Sequence, residues 1–151
     1  MAAYAWAITR SSETPMVKKP TLAALMTPFP YAIALDAPIT EAAVLMEDHG
    51  IHHLPVVDGQ ALTGIISARD IADRDTRPWL VRDVHTPDPY VVDLGTALDE
   101  VLFNMAERHV GCAIVTRHGK LAGIFTHVDA CRGFAAFLRE LYPLPPDDLV
   151  A

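Results

Sequence analysis

Basic residues are scarce in this chain. Twelve Lys and Arg stand against nineteen Asp and Glu, for a net charge of −7 with histidine neutral, and the only adjacent pair is Lys18-Lys19. Sequence-independent nucleic-acid binding needs clustered cations, so nucleic acid is not expected as the main partner. Cysteine is scarce too. Cys112 and Cys131 are the whole complement and form no C-x-x-C pair. A disulfide framework is excluded, and the two read as reduced thiols of a cytosolic protein. Long apolar runs are missing: none approaches the ~18 residues of a membrane span. The N-terminal stretch 1–16 lacks a basic start, and its apolar part, 2–8, is too short for a secretion signal. Together these absences predict a soluble, cytoplasmic protein.

What is present is an ordinary globular composition, 51% hydrophobic, 21% charged and 7% aromatic over 151 residues. A chain of this length buries roughly 70% of its unfolded surface, enough for one domain or two small intertwined halves.

The strongest signal is internal. Displaced by 59 residues, 26–70 lies on 85–129 without a gap, with 12 identities in 45 positions. Chance at average composition would give roughly three. Among the identities are Thr27/Thr86, Pro28/Pro87, Tyr31/Tyr90, Met46/Met105, Gly64/Gly123 and Asp70/Asp129. Two copies are too few for an open array, so two units with a shared core are expected.

Each unit follows the same grammar. A Thr-Pro pair opens a short extended piece, 31–35 or 90–94. A helix follows, because Ile39, Ala42, Ala43 and Met46, and again Leu98, Val101, Leu102 and Met105, recur at i, i+3, i+4, i+7. Gly50 ends the first helix, and His109 stands at that place in the second. Two strands come next, 54–57 and 62–67, joined through Asp58-Gly59, then 112–116 and 121–126, joined through His118-Gly119. The unit closes on a helix opened by Ser67-x-x-Asp70 or Thr126-x-x-Asp129, a capping pattern. The expected fold is α+β: two pseudo-symmetric β-α-β-β-α units with their sheets facing each other. The expected divisions are a lead-in at 1–19, units at 20–77 and 78–133, and a helix extension and tail at 134–151. The last helix is expected to run through Phe134, Phe137, Leu138 and Leu141 despite Gly133, until Pro143, Pro145 and Pro146 stop it.

These residues resemble a known family. Met26-Thr27-Pro28, the helix, 51–58 (Ile-His-His-Leu-Pro-Val-Val-Asp) and Gly64-Ile65-Ile66-Ser67-x-x-Asp70 look like a cystathionine-beta-synthase (CBS) domain. Val81-Arg82-Asp83-Val84 with Thr86-Pro87, then Gly123-Ile124-Phe125-Thr126-x-x-Asp129, looks like a second, and the tandem resembles a Bateman module. The resemblance covers about residues 20–133. It implies two clefts between the halves, frequent dimerisation into a flat disc, and in many members regulatory binding of AMP, ADP, ATP or S-adenosylmethionine.

The candidate site follows from both readings. A carboxylate only accepts hydrogen bonds, so Asp70 and Asp129 suit the two hydroxyls of a ribose. Ser67 and Thr126, at helix N-termini, suit a phosphate. The plain alternative is a capping box worth ~0.5–2 kcal/mol and nothing more. In proteins similar to this one, basic residues at the place of His52 and His53 touch nucleotide phosphates. One surface and one packed histidine is the plain alternative. Arg69 adjoins the first Asp. In the second unit Gly111 and Cys112 replace His52 and His53, and Val128 replaces Arg69, so the two clefts should differ. The basic groups of one unit can reach a ligand whose ribose the other holds, which leaves them unassigned between clefts. Phe29, Ala34, Ile51 and Val110 are candidates for an adenine wall, or plain core. Cys112 reads as a small buried hydrophobe. No zinc site is expected: His49, His52 and His53 straddle Gly50.

Three functions are open at this level. The first is a non-enzymatic sensor of an adenine nucleotide or adenosyl ligand, acting as a homodimer on an effector protein in trans. The second is a ligand-free scaffold that dimerises and docks a partner through Tyr4 and Trp6 or the helix from Phe134 to Tyr142. The third is an enzyme, for which no paired carboxylates, nucleophile–base pair or metal cluster stands out.

Overall fold

The apolar stripe of each long helix sets the position of everything else. In the computed structural model, which describes residues 19–143, α2 (Ile39–His49) buries Ile39, Ala42 and Met46. Its equivalent α5 (Leu98–Glu107) buries Leu98, Val101 and Met105. Leu102, expected on that stripe, stays 37% exposed and faces a groove shared with Phe134 and Phe137. Gly50 takes the left-handed conformation that stops α2, with φ 61°. His109 does the same after α5, with φ 54°. This backbone favours glycine, because it brings Cβ against the carbonyl.

Before these helices lie α1 (Leu22–Leu25), β1 (Thr27–Pro28) and β2 (Ile33–Ala34) in the first half. Their counterparts are α4 (Val81–Val84), β5 (Thr86–Pro87) and β6 (Val91–Asp93). The hairpins are β3 (His53–Asp58) with β4 (Ala61–Ser67), and β7 (Cys112–Arg117) with β8 (Lys120–Thr126). They turn at 59–60 and 118–119, one residue later than expected in the first, because Asp58 is still paired, to Ala61. Positive φ falls on Gly59, His118 and Gly119, as tight hairpin turns require. Two helices close the halves, α3 (Ala68–Ala72) and α6 (His127–Leu141). Gly133 is tolerated inside α6 because α1 packs directly on it: a Cβ there would meet Leu25 Cδ1 at 2.5 Å.

The two halves are crossed. One sheet has the order β2-β3-β4-β5 and the other β1-β8-β7-β6. Thus β1 of the first half pairs antiparallel with β8 of the second, Thr27 opposite Ile124. In return β5 pairs with β4, Thr86 opposite Ile65. The short helices cross as well. Val81 and Val84 of α4 lie in the core built on β3, β4 and α2, whereas Leu22 of α1 lies in the core built on β7, β8 and α5. Each repeat therefore completes its neighbour's core with its first arm, and the sequence units 20–77 and 78–133 are not packing units. Tyr4, Trp6 and the tail 147–151 lie outside the described residues. Among the described residues no helix is long and apolar enough to cross a membrane.

Candidate functional site

The crossed arms leave a cleft of about 480 Å³ between the halves. Three pieces of the first half line it: Thr27 to Tyr31 after β1, His49 and Gly50 at the end of α2, and Ile51, His52 and His53 leading into β3. The second half contributes Ile124 and Thr126 from β8, and His127, Val128, Asp129 and Arg132 from α6. At its edge Tyr31 and His49 stack, ring centroids 3.8 Å apart.

The Thr126–Asp129 turn is a closed capping box. Asp129 Oδ2 accepts from the Thr126 backbone N–H at 2.8 Å and from its hydroxyl at 2.7 Å, while Thr126 Oγ1 accepts from the Asp129 N–H at 3.3 Å. Ser67 and Asp70 repeat this in the first half, with distances of 2.7, 2.7 and 3.3 Å. In each box the other carboxylate oxygen accepts nothing among the described residues and is open to a ligand hydroxyl. The helix N-termini are less open than the sequence suggests. The first amide of α6, His127 N–H, donates to the Gly111 carbonyl at 2.9 Å, and that of α3, Ala68 N–H, to His52 in the same way. The third amide is held by the box, which leaves the second, Val128 N–H, in the cleft. The Thr126 hydroxyl has its only proton on Asp129. The groups best able to meet a phosphate are therefore Arg132, as a charge-assisted donor, and the imidazole rings beside it.

His52 and His53 line this cleft together with the Thr126–Asp129 turn of the other half. Their backbone also adjoins the Ser67–Asp70 turn of their own repeat, His53 pairing with Ser67 and the His52 carbonyl accepting from Ala68 N–H. Phe29 and Ile51 line the same cleft, Phe29 91% exposed with φ 48°. Ala34 does not: it sits exposed on β2, while its neighbour Ile33 is buried. Val110 packs against the core of α5, β7 and β8. Ser67, Arg69, Asp70, Val110 and Cys112 are not among the residues that line this cleft, whereas Gly111 backs it, its carbonyl accepting from His127 N–H. Across the pseudo-dyad Arg108 covers Tyr90 at 4.7 Å, as His49 covers Tyr31. Cys112 is buried, and burial pushes its thiol up to about 11. His53 is held below its ordinary value by burial first, then by His127 and His52, with Asp70 opposing. His127 and Arg132 were not among the sequence candidates. His127 lay in the aligned window opposite Ala68, and Arg132 lay three residues beyond its end, opposite Asp73.

The chain belongs to the CBS domain family, whose signature matches residues 22–76 and again 81–136. Its relatives include the inosine-5'-monophosphate dehydrogenase of Korarchaeum cryptofilum, 33% identical over 111 residues. That match takes in 73% of this chain, but the chain spans only 22% of the dehydrogenase. Among solved structures, CBSX2 in complex with AMP is 26% identical, with a TM-score of 0.71 over 79% of this chain and 98% of that one. The CBS domain pair of protein MJ0100, in complex with 5-methylthioadenosine and S-adenosyl-L-methionine, is 25% identical, with a TM-score of 0.72 over 80% and 99%.

Proposed function

We propose that this chain is a non-enzymatic regulatory protein that binds an adenine nucleotide or other adenosyl ligand in the cleft between its halves and signals its presence to a partner protein. One observation carries the reading. A single cleft brings together an open carboxylate oxygen for a ribose, apolar surface from Phe29 and Ile51 for a base, and a wall of three imidazoles, His52, His53 and His127, with the Arg132 guanidinium. The AMP seen in CBSX2 and the S-adenosyl-L-methionine seen in MJ0100 support the same ligand class here. Occupancy acts on the protein only by favouring one packing of the halves over another. Since both halves line the cleft, a ligand there has that leverage.

A homodimer fits this reading. Phe103 on α5, Phe134 midway along α6 and Tyr142 at its C-cap are 66%, 58% and 65% exposed. They offer apolar surface to a second copy or an effector. That surface equally serves the scaffold function, so the cleft decides between them. In a thermal-shift panel of AMP, ADP, ATP and S-adenosylmethionine, a ligand at 100 times its Kd adds ~2.7 kcal/mol of stability. Asp129→Ala abolishes the shift while the chain still unfolds cooperatively. Absence of a shift with every ligand would leave the scaffold.

A further inference from the structure

His127 carries a constraint that its position alone does not show. Its ring Nδ1 lies 3.2 Å from the Gly111 carbonyl oxygen, the same oxygen that takes its backbone N–H. A carbonyl only accepts, so Nδ1 holds the ring proton. In the neutral ring Nε2 is then a lone pair, which repels a phosphate oxygen. Only the doubly protonated ring can donate from Nε2.

His53 faces the same spot. A Cβ built on Gly111 would lie 3.5 Å from His127 Nδ1 and 3.7 Å from His53 Nε2. The groups around the pair are His52 beside it, Asp129 and Arg132 from α6, Asp70 from α3, and His49 from α2, stacked on Tyr31. Among the described residues Arg132 is the one permanent cation lining this cleft. Burial holds His53 below its ordinary value, against its taking a proton. A phosphate dianion reverses the balance.

We propose that this cleft takes a phosphate-bearing ligand and a proton together: with its Nδ1 committed to the Gly111 carbonyl, His127 donates to a phosphate oxygen only once Nε2 gains a proton, and His53 stands beside it. The inference rests on the adenosyl-ligand reading of the cleft and adds its regulation: occupancy reports nucleotide and pH jointly. Affinity for the phosphate-bearing ligand rises as pH falls from about 8 toward about 6.5. The gain ends near pH ~6, where the phosphate loses its second charge. At the mirror place Cys112 stands for His53, Ala68 for His127 and Asp73 for Arg132. The other side therefore lacks this histidine pair and its arginine.

The test is isothermal titration calorimetry of the full chain with AMP and with adenosine, at about pH 8 and about pH 6.5, in buffers of different ionisation heat. Expected is an AMP affinity about threefold or more higher at the lower pH, as a pKa shift of roughly one unit gives, with net proton uptake. Adenosine binds equally at both. His127→Gln and His53→Gln lose the pH dependence for AMP and keep adenosine. Equal AMP affinity at both pH values without proton uptake overturns this inference and leaves the cleft reading standing. If neither AMP nor adenosine binds at either pH, the cleft reading falls, and this inference with it.

Discussion

The carbonyl oxygen of Thr86 lies 2.5 Å from the point a Cβ on Gly64 would occupy. That point is also 2.4 Å from His85 Cδ2. Here β5 of one half lies against β4 of the other, so Gly64→Ala has to push backbone aside. At the equivalent Gly123 the nearest atom is the flexible Met26 Sδ at 2.4 Å, with the Thr27 oxygen at 3.0 Å. Urea denaturation should show Gly64→Ala losing about 1–3 kcal/mol, the range for overpacking, and Gly123→Ala losing less. The opposite order would mean that the clasp on β8 is the tighter one.

The two thiols should separate cleanly. Cys131 is exposed and Cys112 buried, its thiol raised from 9.0 to about 11. The thiolate is the reactive form. With a disulfide reagent near pH ~8, the native chain should give one fast thiol, and Cys131→Ser should remove it. Cys112 should react only on unfolding. The unfolded chain releases its Cys112 proton first, so stability should fall as pH rises through the ordinary thiol value.

Arg132 should separate phosphate recognition from adenosine recognition. Hydrogen bonds to charged groups contribute about 1.5–3 kcal/mol, so Arg132→Ala should weaken AMP by roughly tenfold or more. Adenosine should stay within about twofold, since it has no phosphate to lose. Equal losses for both would place Arg132 in the fold of α6 and not in ligand contact.

Without ligand, acid should destabilise the protein through His53. Its folded value is depressed, so the unfolded chain binds its proton first as pH falls. Stability is therefore full above the ordinary histidine value and lost as pH drops below it, levelling out beneath the folded value. Urea midpoints at about pH 7.5 and about pH 5.5 should differ in that direction, and His53→Gln should narrow the difference. An unchanged difference would assign the acid loss to other groups.

Much of this was legible in the residues. The stripes of α2 and α5, the stop at Gly50, the hairpins and both capping boxes follow from spacing and turn chemistry. The crossing of the arms was not. Duplication makes the edges of β4 and β8 alike, and no local pattern says which Thr-Pro strand pairs with which. His52 and His53 stayed unassigned between the clefts for the same reason. Ala34 misled because a two-residue strand gives too short an alternation to show which side chain turns inward. One signal for His127 was available: four of the seven histidines, His49, His52, His53 and His127, line one cleft. The 59-residue register sets the last beside Ala68, the kind of departure that marks a site.

Imagine the chain cut in the linker at 73–78 and its halves made identical. Each piece would carry an arm shaped for the other's core, and two would assemble as a domain-swapped homodimer. Fusion turns that concentration-dependent meeting into an intramolecular one. It also gives each side its own stretch of gene. Identical halves would have to carry the same residue at both equivalent places; a fused pair can set His53, His127 and Arg132 against Cys112, Ala68 and Asp73. The asymmetric cleft is therefore something that identical swapped halves could not carry.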